Sequence, residues 1–370
     1  MNRRNLIKSA AIGALAFPFL SEGTGIARTK QESNDVLLQK VIVDLIDGKK
    51  VNIDCYGDSV MWGSNPLDLA TQTQNPAPKI LEKTLSKFYT GVLRVNNFGG
   101  PGTTLKDIIK GSDGKGAELQ KRMKNDSRVI YLNYGINDMM HGHDLGAYTN
   151  GLKEIVKIAN ANGKAVVFVT PNIMTPYGFG NFNYSAKMPL YAAAMASVSQ
   201  ELKVMLINQF DSTKEDSQKY PLKSVVVDGA HLSDSNYKQM GYNMSMSLIS
   251  FETIIDKGVL QFAGVSIGGN RSAKISDGDD FKKLEFDPSN NDTFTFAFKG
   301  DGLYEFDVKS DNPSDLKLTV NDINIEPKIN GANVRFLFDS VNNDSIRSGL
   351  RVMTLTSKAP FTILSIRKVK

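Results

Sequence analysis

The sequence contains a single cysteine, Cys55, among its 370 residues. One cysteine excludes an intramolecular disulfide and any metal site built from several cysteines. Because Cys55 lies inside an apolar run, we predict a small buried side chain rather than a thiol nucleophile. The net charge is +5, but no block of five or six like charges occurs. Nucleic-acid binding is therefore not indicated, and a mixed, solvated surface is expected.

No segment after the first thirty residues has the length and apolar character of a transmembrane helix. Residues 1–30 combine a basic start, which includes Arg3 and Arg4, with an apolar stretch at 10–20 that is too short to cross a bilayer comfortably. This pattern resembles a twin-arginine export signal and predicts a periplasmic or extracellular protein. The alternative is an uncleaved N-terminal anchor or a flexible tail.

The length of the chain predicts two folded units, because 370 residues exceed what one hydrophobic core usually organises. With 41% hydrophobic and 22% charged residues, the composition is that of an ordinary globular protein, which sets disorder aside. We expect the first unit to span residues 31–256 and the second to span residues 257–370.

Short runs rich in Val and Ile alternate with helical patterns through the first unit. Strands separated by helices of ten or more residues need crossover connections, which require a parallel sheet covered on both faces. The first unit is therefore predicted to be a three-layer α/β/α sandwich. The predicted strands are 51–55, 92–96, 128–132, 165–170 and 204–208, and the predicted helices include 36–46, 77–89, 147–160 and 189–202.

The helical periodicity disappears in the second unit. Short segments of alternating polarity, such as 294–298 and 303–308, are separated by clusters of Gly, Asn, Asp and Pro. This pattern predicts a small antiparallel β-sandwich.

The end of the first predicted strand is the first of four unusual segments. Open α/β sheets carry their reactive groups at the carboxyl ends of the strands. Here Gly57 permits a sharp turn, and a helix that starts after it would leave the Ser59 hydroxyl exposed at its N-terminus. The alternative is that Asp58 or Ser59 only caps that helix.

The second predicted strand is followed by a glycine-rich segment, and the third is followed by an asparagine. Segment 97–105 has three glycines in four positions, which leaves backbone N–H groups free to face an oxyanion, although such turns are common. Its spacing fits neither the Walker nor the dinucleotide fingerprint. After the third strand, Asn137 is suited to direct its amide N–H at developing negative charge, or alternatively to cap a turn.

The chain contains only three histidines. Asp228 precedes His231 by three residues on a predicted loop, so its carboxylate can reach the imidazole and fix the tautomer that takes a proton from Ser59. The alternative is that the two residues share no task. His141 and His143 are interpreted as surface residues, with a metal pair as the alternative, because no third ligand motif accompanies them.

In chain order, these four segments resemble the four sequence blocks of the SGNH (GDSL-like) hydrolase superfamily. The resemblance covers about residues 51–250 and says nothing about the second unit. The matching positions are 57–63 for the GDSxxxG block, 97–104 for NxGxxGxT, 135–138 for GxND and 228–231 for DxxH.

The resemblance implies a flavodoxin-like SGNH fold and a serine esterase that needs no metal or organic cofactor. It implies that Ser59 is the nucleophile, His231 the base and Asp228 the acid that orients the base. The oxyanion hole would consist of the backbone N–H of Ser59, the backbone N–H of Gly102 and the side chain of Asn137. The extra glycine at position 100 is an alternative donor, and we favour Gly102.

The resemblance leaves the substrate open, because the superfamily includes lipases, thioesterases, arylesterases and carbohydrate deacetylases. An export signal with an appended β-domain resembles carbohydrate esterases, so we expect an acylated carbohydrate or another small ester as substrate. An acyltransferase or a short-chain lipase or thioesterase would use the same residues. The alternative of another class is a glycan-binding surface or virion tail protein with an ancillary esterase domain.

Overall fold

A computed structural model describes ten stretches of the chain. They are residues 32–89, 93–114, 117–179, 181–249, 262–267, 274–276, 283–286, 293–299, 303–339 and 349–368. The predicted export signal at residues 1–30 and the predicted boundary between residues 256 and 257 lie outside these stretches, so both stay predictions.

The first unit is built around a parallel β-sheet. Its strands, with a short hairpin formed by β2 and β3, are β1 (Val51–Gly57), β2 (Ser64–Asn65), β3 (Asp68–Gln72), β4 (Leu93–Gly99), β5 (Ser127–Asn133), β6 (Ala165–Val169) and β7 (Met205–Ile207). Five of them form one parallel sheet in the order β4-β1-β5-β6-β7. Every residue of β1 and β6 is buried, so both faces of the sheet are covered. The predicted α/β sandwich is confirmed.

Helices fill the connections between these strands. They are α1 (Asn34–Ile46), α2 (Ser59–Trp62), α3 (Ala77–Phe88), α4 (Leu105–Lys110), α5 (Leu119–Arg122), α6 (Ile136–Met140), α7 (Leu145–Ala161), α8 (Phe182–Leu202), α9 (Gln209–Lys219) and α10 (Asp234–Ser245). Helix α3 packs against α10, and α7 packs against α8. Cys55 is buried in β1 as predicted, and burial raises the pKa of its thiol.

Two local predictions for the first unit were incomplete. Helix α8 begins at Phe182 rather than at Pro189, because the side chain of Asn181 caps it by accepting a hydrogen bond from the Tyr184 N–H at 2.9 Å. Pro189 lies inside the helix and is exposed, although proline lacks the N–H that would continue the helical ladder. The short β2–β3 hairpin was also not predicted.

The second unit consists of antiparallel strands, as predicted. They are β8 (Phe262–Ile267), β9 (Lys274–Ser276), β10 (Lys283–Phe286), β11 (Thr293–Lys299), β12 (Leu303–Ser310), β13 (Lys317–Val320), β14 (Ile323–Ile325), β15 (Pro327–Asn330), β16 (Asn333–Asp339), β17 (Leu350–Thr356) and β18 (Phe361–Lys368). One sheet has the order β15-β16-β12-β18-β10-β9 and the other the order β14-β13-β17-β11-β8. Side chains from both sheets form one hydrophobic cluster, which makes the unit a β-sandwich.

Strand β17 contributes side chains to the hydrophobic cores of both units. Successive side chains of a strand point to opposite faces of its sheet. Met353 and Leu355 belong to the core of the β-sandwich, whereas Leu350 and Val352 belong to the hydrophobic core of the α/β unit. The β-sandwich is therefore docked on the α/β unit through an apolar face, against helices α3 and α10.

The turn between β13 and β14 adds a charged contact to this docking face. Asp322 pairs with Lys83 at 2.8 Å and with Lys87 at 3.1 Å, both on α3. It also accepts a hydrogen bond from the Tyr242 hydroxyl of α10 at 3.0 Å. Burial raises the pKa of Asp322, but the two lysines outweigh that effect and hold the pKa well below its usual value.

We expect Asp322→Asn to lower the free energy of unfolding at pH 7 by about 1–2 kcal/mol. The expected loss is small because Lys83 is more than half exposed, so solvent weakens its ion pair with Asp322. A carboxylate whose pKa is lowered by folding stabilises the fold above its unfolded pKa, and this stabilisation is lost as the pH falls toward the folded pKa. Urea unfolding should therefore show a constant difference from wild type between about pH 7 and pH 5, which shrinks below about pH 4. Asp311→Asn, at an exposed position of the same unit, is the control. A difference that persists unchanged at pH 3 would contradict the ion-pair explanation.

Candidate active site

Ser59 lies directly after the carboxyl end of β1, as the first residue of α2. The first N–H groups of a helix have no partner within the helix. The side chain is half-buried. The sequence therefore places the Ser59 hydroxyl and the N-terminal backbone N–H groups of α2 at this edge of the sheet.

Asp58 caps the helix that Ser59 begins. Its carboxylate accepts a hydrogen bond from the Val60 N–H at 2.9 Å, and its side chain is buried. Burial raises the pKa of Asp58 to about 7, and the opposing effects of the Val60 hydrogen bond and of His231 are smaller. The two interpretations of this segment are compatible, because Asp58 provides the cap while the Ser59 hydroxyl stays available.

The hydroxyl of Ser59 meets His231, which lies on the loop before α10. The distance from Ser59 Oγ to His231 Nε2 is 2.8 Å, and the distance from His231 Nδ1 to Asp228 Oδ2 is 2.6 Å. An ionised carboxylate only accepts hydrogen bonds, so Nδ1 carries the proton of the neutral imidazole and Nε2 accepts from the serine. The structure thus brings Ser59, His231 and Asp228 into one hydrogen-bonded chain.

The carboxylate of Asp228 is also held by its own loop. Its Oδ1 atom accepts hydrogen bonds from the His231 N–H at 2.7 Å and from the Ala230 N–H at 3.1 Å. Burial raises the pKa of Asp228, but the hydrogen bonds from His231 outweigh burial, and the pKa lies below its usual value. The carboxylate is therefore ionised at neutral pH and oriented toward the imidazole.

The glycine segment after β4 forms a tight turn. The Thr103 N–H donates to the Gly100 carbonyl at 3.1 Å, and Gly102 between them has a φ of +78°. Proline at position 101 and a glycine with positive φ at the next position are typical of a type II turn. The Gly100 N–H donates to the Gly57 carbonyl at 2.9 Å. Because Gly100 already has a partner, the turn favours Gly102 as the donor to a ligand.

Asn137 lies in α6, just after β5, and its side chain is buried. Its Nδ2 atom donates to the Thr103 carbonyl at 3.1 Å. An amide group has two hydrogens, so this bond orients the side chain and leaves the second hydrogen for another acceptor. The turn after β4 and the helix after β5 are therefore connected at the same edge of the sheet as Ser59.

The two other histidines differ from one another. His141 is exposed, as predicted for a surface residue. His143 is only partly exposed, and its Nδ1 lies 3.3 Å from Oδ1 of the buried Asp138. Burial raises the pKa of Asp138, and the contact with His143 opposes this rise. The surface interpretation of His143 was therefore incomplete, because this side chain neighbours a buried carboxyl group beside Asn137.

Sequence reasoning did not single out Phe179, which lies in the loop after β6. The centroid of its ring is 5.8 Å from that of His231, with the two planes at 85°. The residue is 49% exposed. The available signal was an aromatic residue flanked by Gly178 and Gly180 beyond the carboxyl end of the fourth sheet strand, where no polar motif draws attention.

Two further properties concern only the residues that the structure describes. Within them, no three or more His, Cys, Asp or Glu side chains are grouped so as to hold a metal ion. Among the described helices, none combines the length and apolar character that a membrane crossing requires.

Comparison with known proteins gives the family. Residues 55–239, half of the chain, match the model of the GDSL-like Lipase/Acylhydrolase family. The match includes Ser59, the glycine segment, Asn137 and the loop with Asp228 and His231. The chain belongs to the GDSL-like lipase/acylhydrolase family, and it is an ester-hydrolysing enzyme. A search of curated proteins found no match.

Several solved structures are similar to part of this chain. An acetylxylan esterase from Geobacillus stearothermophilus is 17% identical, with 56% of this chain and 97% of that chain covered and a TM-score of 0.44. A lipase/acylhydrolase from Enterococcus faecalis is 17% identical, with 53% and 93% covered and a TM-score of 0.42. A member of the lipolytic G-D-S-L family from Veillonella parvula is 16% identical, with 52% and 95% covered and a TM-score of 0.41. Similarity at this level leaves the substrate open.

Proposed function

We propose that this enzyme is a serine esterase that works through an acyl-enzyme on Ser59 and removes acetyl groups from a carbohydrate. The observation that carries the proposed reaction is the chain of hydrogen bonds from Ser59 through His231 to Asp228, with distances of 2.8 Å and 2.6 Å. A hydroxyl is a weak nucleophile at neutral pH unless a neighbouring base takes its proton.

The reaction proceeds in two halves. Ser59 Oγ attacks the ester carbonyl carbon while His231 Nε2 takes the hydroxyl proton. The tetrahedral intermediate then collapses, the bond to the alcohol oxygen breaks, and His231 gives its proton to that oxygen. In the second half, water loses a proton to His231 and attacks the acyl-enzyme, which releases the carboxylic acid and restores the Ser59 hydroxyl.

Asp228 is a positioning residue in this mechanism. Its carboxylate accepts from Nδ1–H, so it keeps the imidazole in the tautomer whose Nε2 accepts a proton. It also stabilises the imidazolium that exists while the proton is held. The two backbone donors on Asp228 Oδ1 support its ionised state.

Three donors are proposed to stabilise the oxyanion. They are the backbone N–H of Ser59, the backbone N–H of Gly102 and the Nδ2 of Asn137. The turn that commits the Gly100 N–H to Gly57 supports the choice of Gly102. Donors that are held in place before the reaction cost no reorganisation when the negative charge develops.

We expect Asn137→Ala to lower kcat for p-nitrophenyl acetate by about 10²–10³-fold, because one donor to the oxyanion is lost. KM should change little, since the donor acts on charge that appears after substrate binding. Asn150→Ala, at an exposed position of α7, is the matched control and should leave kcat unchanged. Equal kcat for Asn137→Ala and wild type would remove Asn137 from the oxyanion hole.

The proposed substrate is an acetylated carbohydrate outside the cytoplasm. This proposal is supported by the β-sandwich docked on the α/β unit and by the export signal expected at residues 1–30. We further propose that the β-sandwich, expected to span residues 257–370, contributes to carbohydrate binding.

Products decide between this substrate and lipid esters. Wild type and Ser59→Ala should be incubated with a panel of acetylated polysaccharides and with triglycerides of long acyl chains, and the released acids measured by gas chromatography. We expect acetate from at least one polysaccharide and no fatty acid, with no release by the variant. Fatty-acid release without acetate release would overturn the carbohydrate assignment and leave the serine esterase reaction standing.

A further inference from the structure

The loop after β6 packs against the loop that carries Asp228 and His231. The Thr175 N–H donates to the Gly229 carbonyl at 3.1 Å, and the Phe179 N–H donates to the Asp228 carbonyl at 2.8 Å. These bonds fix the backbone of the loop on both sides of Gly178. The backbone of Phe179 is therefore held against the backbone that carries Asp228.

Gly178 shows how closely the two loops approach each other. A Cβ atom at this position would lie 1.8 Å from the carbonyl oxygen of Asp228, and its φ is +66°. Only glycine fits such an approach, since any side chain would overlap with the backbone. The loop has little freedom to move Phe179 away from His231.

Exposure of Phe179 alone carries little weight, because single exposed apolar side chains are normal on protein surfaces. Ile329 in β15 is 51% exposed and Leu190 in α8 is 53% exposed. Phe179 differs from both because its ring contacts the imidazole that is hydrogen-bonded to Ser59. An aromatic side chain that is half exposed and lies beside this imidazole is available to a bound substrate.

The order of the strands places Phe179 and the proposed oxyanion donors on different sides of the site. The proposed oxyanion donors follow β4, β1 and β5, whereas Phe179 follows β6, so it lies beyond them along the sheet edge. The carbonyl oxygen of the ester must face those donors. The alcohol oxygen must instead approach Nε2 of His231, because this atom delivers the proton to the leaving group. A side chain packed on the imidazole therefore faces the alcohol part of the ester.

We propose that Phe179 is a specificity-determining residue that contacts the alcohol part of the substrate, in particular the ring of an acetylated sugar. This inference depends on the proposed esterase function and deepens it. The face of an aromatic ring carries partial negative charge, which attracts the polarised C–H groups on the apolar face of a sugar ring. The acyl group lies on the other side of the scissile bond and does not contact Phe179.

The test varies the alcohol and the acyl group separately. The substrates are an acetylated methyl glycoside, ethyl acetate, phenyl acetate and phenyl butyrate. The enzymes are wild type, Phe179→Ala, Phe179→Trp and the control Leu190→Ala, which removes a similarly exposed apolar side chain from α8. Melting temperatures are measured for all four proteins.

Phe179→Ala should lower kcat/KM for the acetylated glycoside about tenfold, mainly by raising KM, and change it less than about twofold for ethyl acetate. The ratio of kcat/KM for phenyl butyrate to that for phenyl acetate should equal the wild-type ratio. Phe179→Trp should retain wild-type activity on the glycoside, because a large aromatic face is kept. Leu190→Ala should match wild type throughout.

Equal kcat/KM of Phe179→Ala and wild type for the glycoside would overturn the inference. Four other results would also overturn it. They are an equal loss on ethyl acetate, a changed butyrate-to-acetate ratio, a loss confined to phenyl acetate, and a wild type that does not cleave the glycoside. The first result would mean that Phe179 only supports the loop of Asp228, and the second that Phe179 contacts the acyl group. Either of the last two would mean that the alcohol part of the substrate is not a sugar. The proposed reaction fails separately, when Ser59→Ala hydrolyses these esters as fast as wild type.

Discussion

Hydrolysis of p-nitrophenyl acetate should fall by about 10⁵–10⁶-fold in kcat when Ser59 is replaced by alanine. The substitution removes the only atom of this residue that can form the ester bond of the acyl-enzyme. His231 and Asp228 keep their mutual hydrogen bonds, which do not involve the serine. The fold should be unaffected, because the substitution removes one half-buried hydroxyl and its hydrogen bond to His231.

The matched control for this experiment is Ser86→Ala. Ser86 is exposed on α3, where its hydroxyl donates to the Glu82 carbonyl at 2.8 Å, and the same atom is removed. Its kcat should equal that of wild type, and the melting temperatures of both variants should stay within a few degrees of it. A loss of less than tenfold in Ser59→Ala would mean that another group attacks the ester.

The second large effect is expected for Asp228→Asn, which should lower kcat about 10⁴-fold at pH 7. Asparagine has nearly the shape of aspartate, and its oxygen can still accept from the backbone N–H groups of Ala230 and His231. Its amide group then faces Nδ1 of His231 and donates to it. The imidazole proton moves to Nε2, which can no longer accept the proton of Ser59.

Asp144→Asn is the control for this variant. Asp144 also accepts a hydrogen bond from a backbone N–H, that of Ala147, as the N-cap of α7. It is not one of the three residues of the proposed Ser59–His231–Asp228 chain. Asparagine is as good a helix cap as aspartate, so stability and activity should be unchanged. The kinetics should be measured with the melting temperature, since a loss of activity that accompanies unfolding would not report on the tautomer. A folded Asp228→Asn enzyme with more than a tenth of the wild-type kcat would contradict the proposed role.

Much of the α/β unit was predictable because its central strands β1, β5 and β6 are buried on both faces. Such strands are continuous apolar runs. Each run predicted from the sequence overlaps one of β1, β4, β5, β6 and β7. The carboxyl ends of parallel strands share one edge of a sheet. This is why Ser59, Gly102 and Asn137, which follow three different strands, were expected to lie at the same edge.

Features that depend on contacts between loops were not predictable. Phe179 reaches His231 because two loops pack together, and no local pattern of residues encodes that packing. Asp322 pairs with Lys83 across a sequence separation of 239 residues, through the docking of one unit on the other. The glycine segment is intermediate, since its Pro-Gly pair permits a type II turn but does not reveal which N–H is already bonded.

The start of α8 shows a different limit of sequence reasoning. Proline is common in the first turn of a helix, which makes Pro189 a reasonable start. The structure instead uses Asn181 as the cap, and the helix continues through the proline. An asparagine cap is recognised only when the residues after it are known to be helical, and the segment after Asn181 has no clear apolar period.

Ser59 Oγ, activated by His231, is expected to become covalently bound to the acyl group of the substrate. The most direct measurement is a reaction with a fluorophosphonate, which labels activated serines, followed by peptide mass spectrometry. We predict one label per chain, located on the peptide that contains Ser59, and a labelling rate at least 10³-fold lower in His231→Ala. A label on any other serine, or labelling of Ser59 at the same rate without His231, would contradict the account.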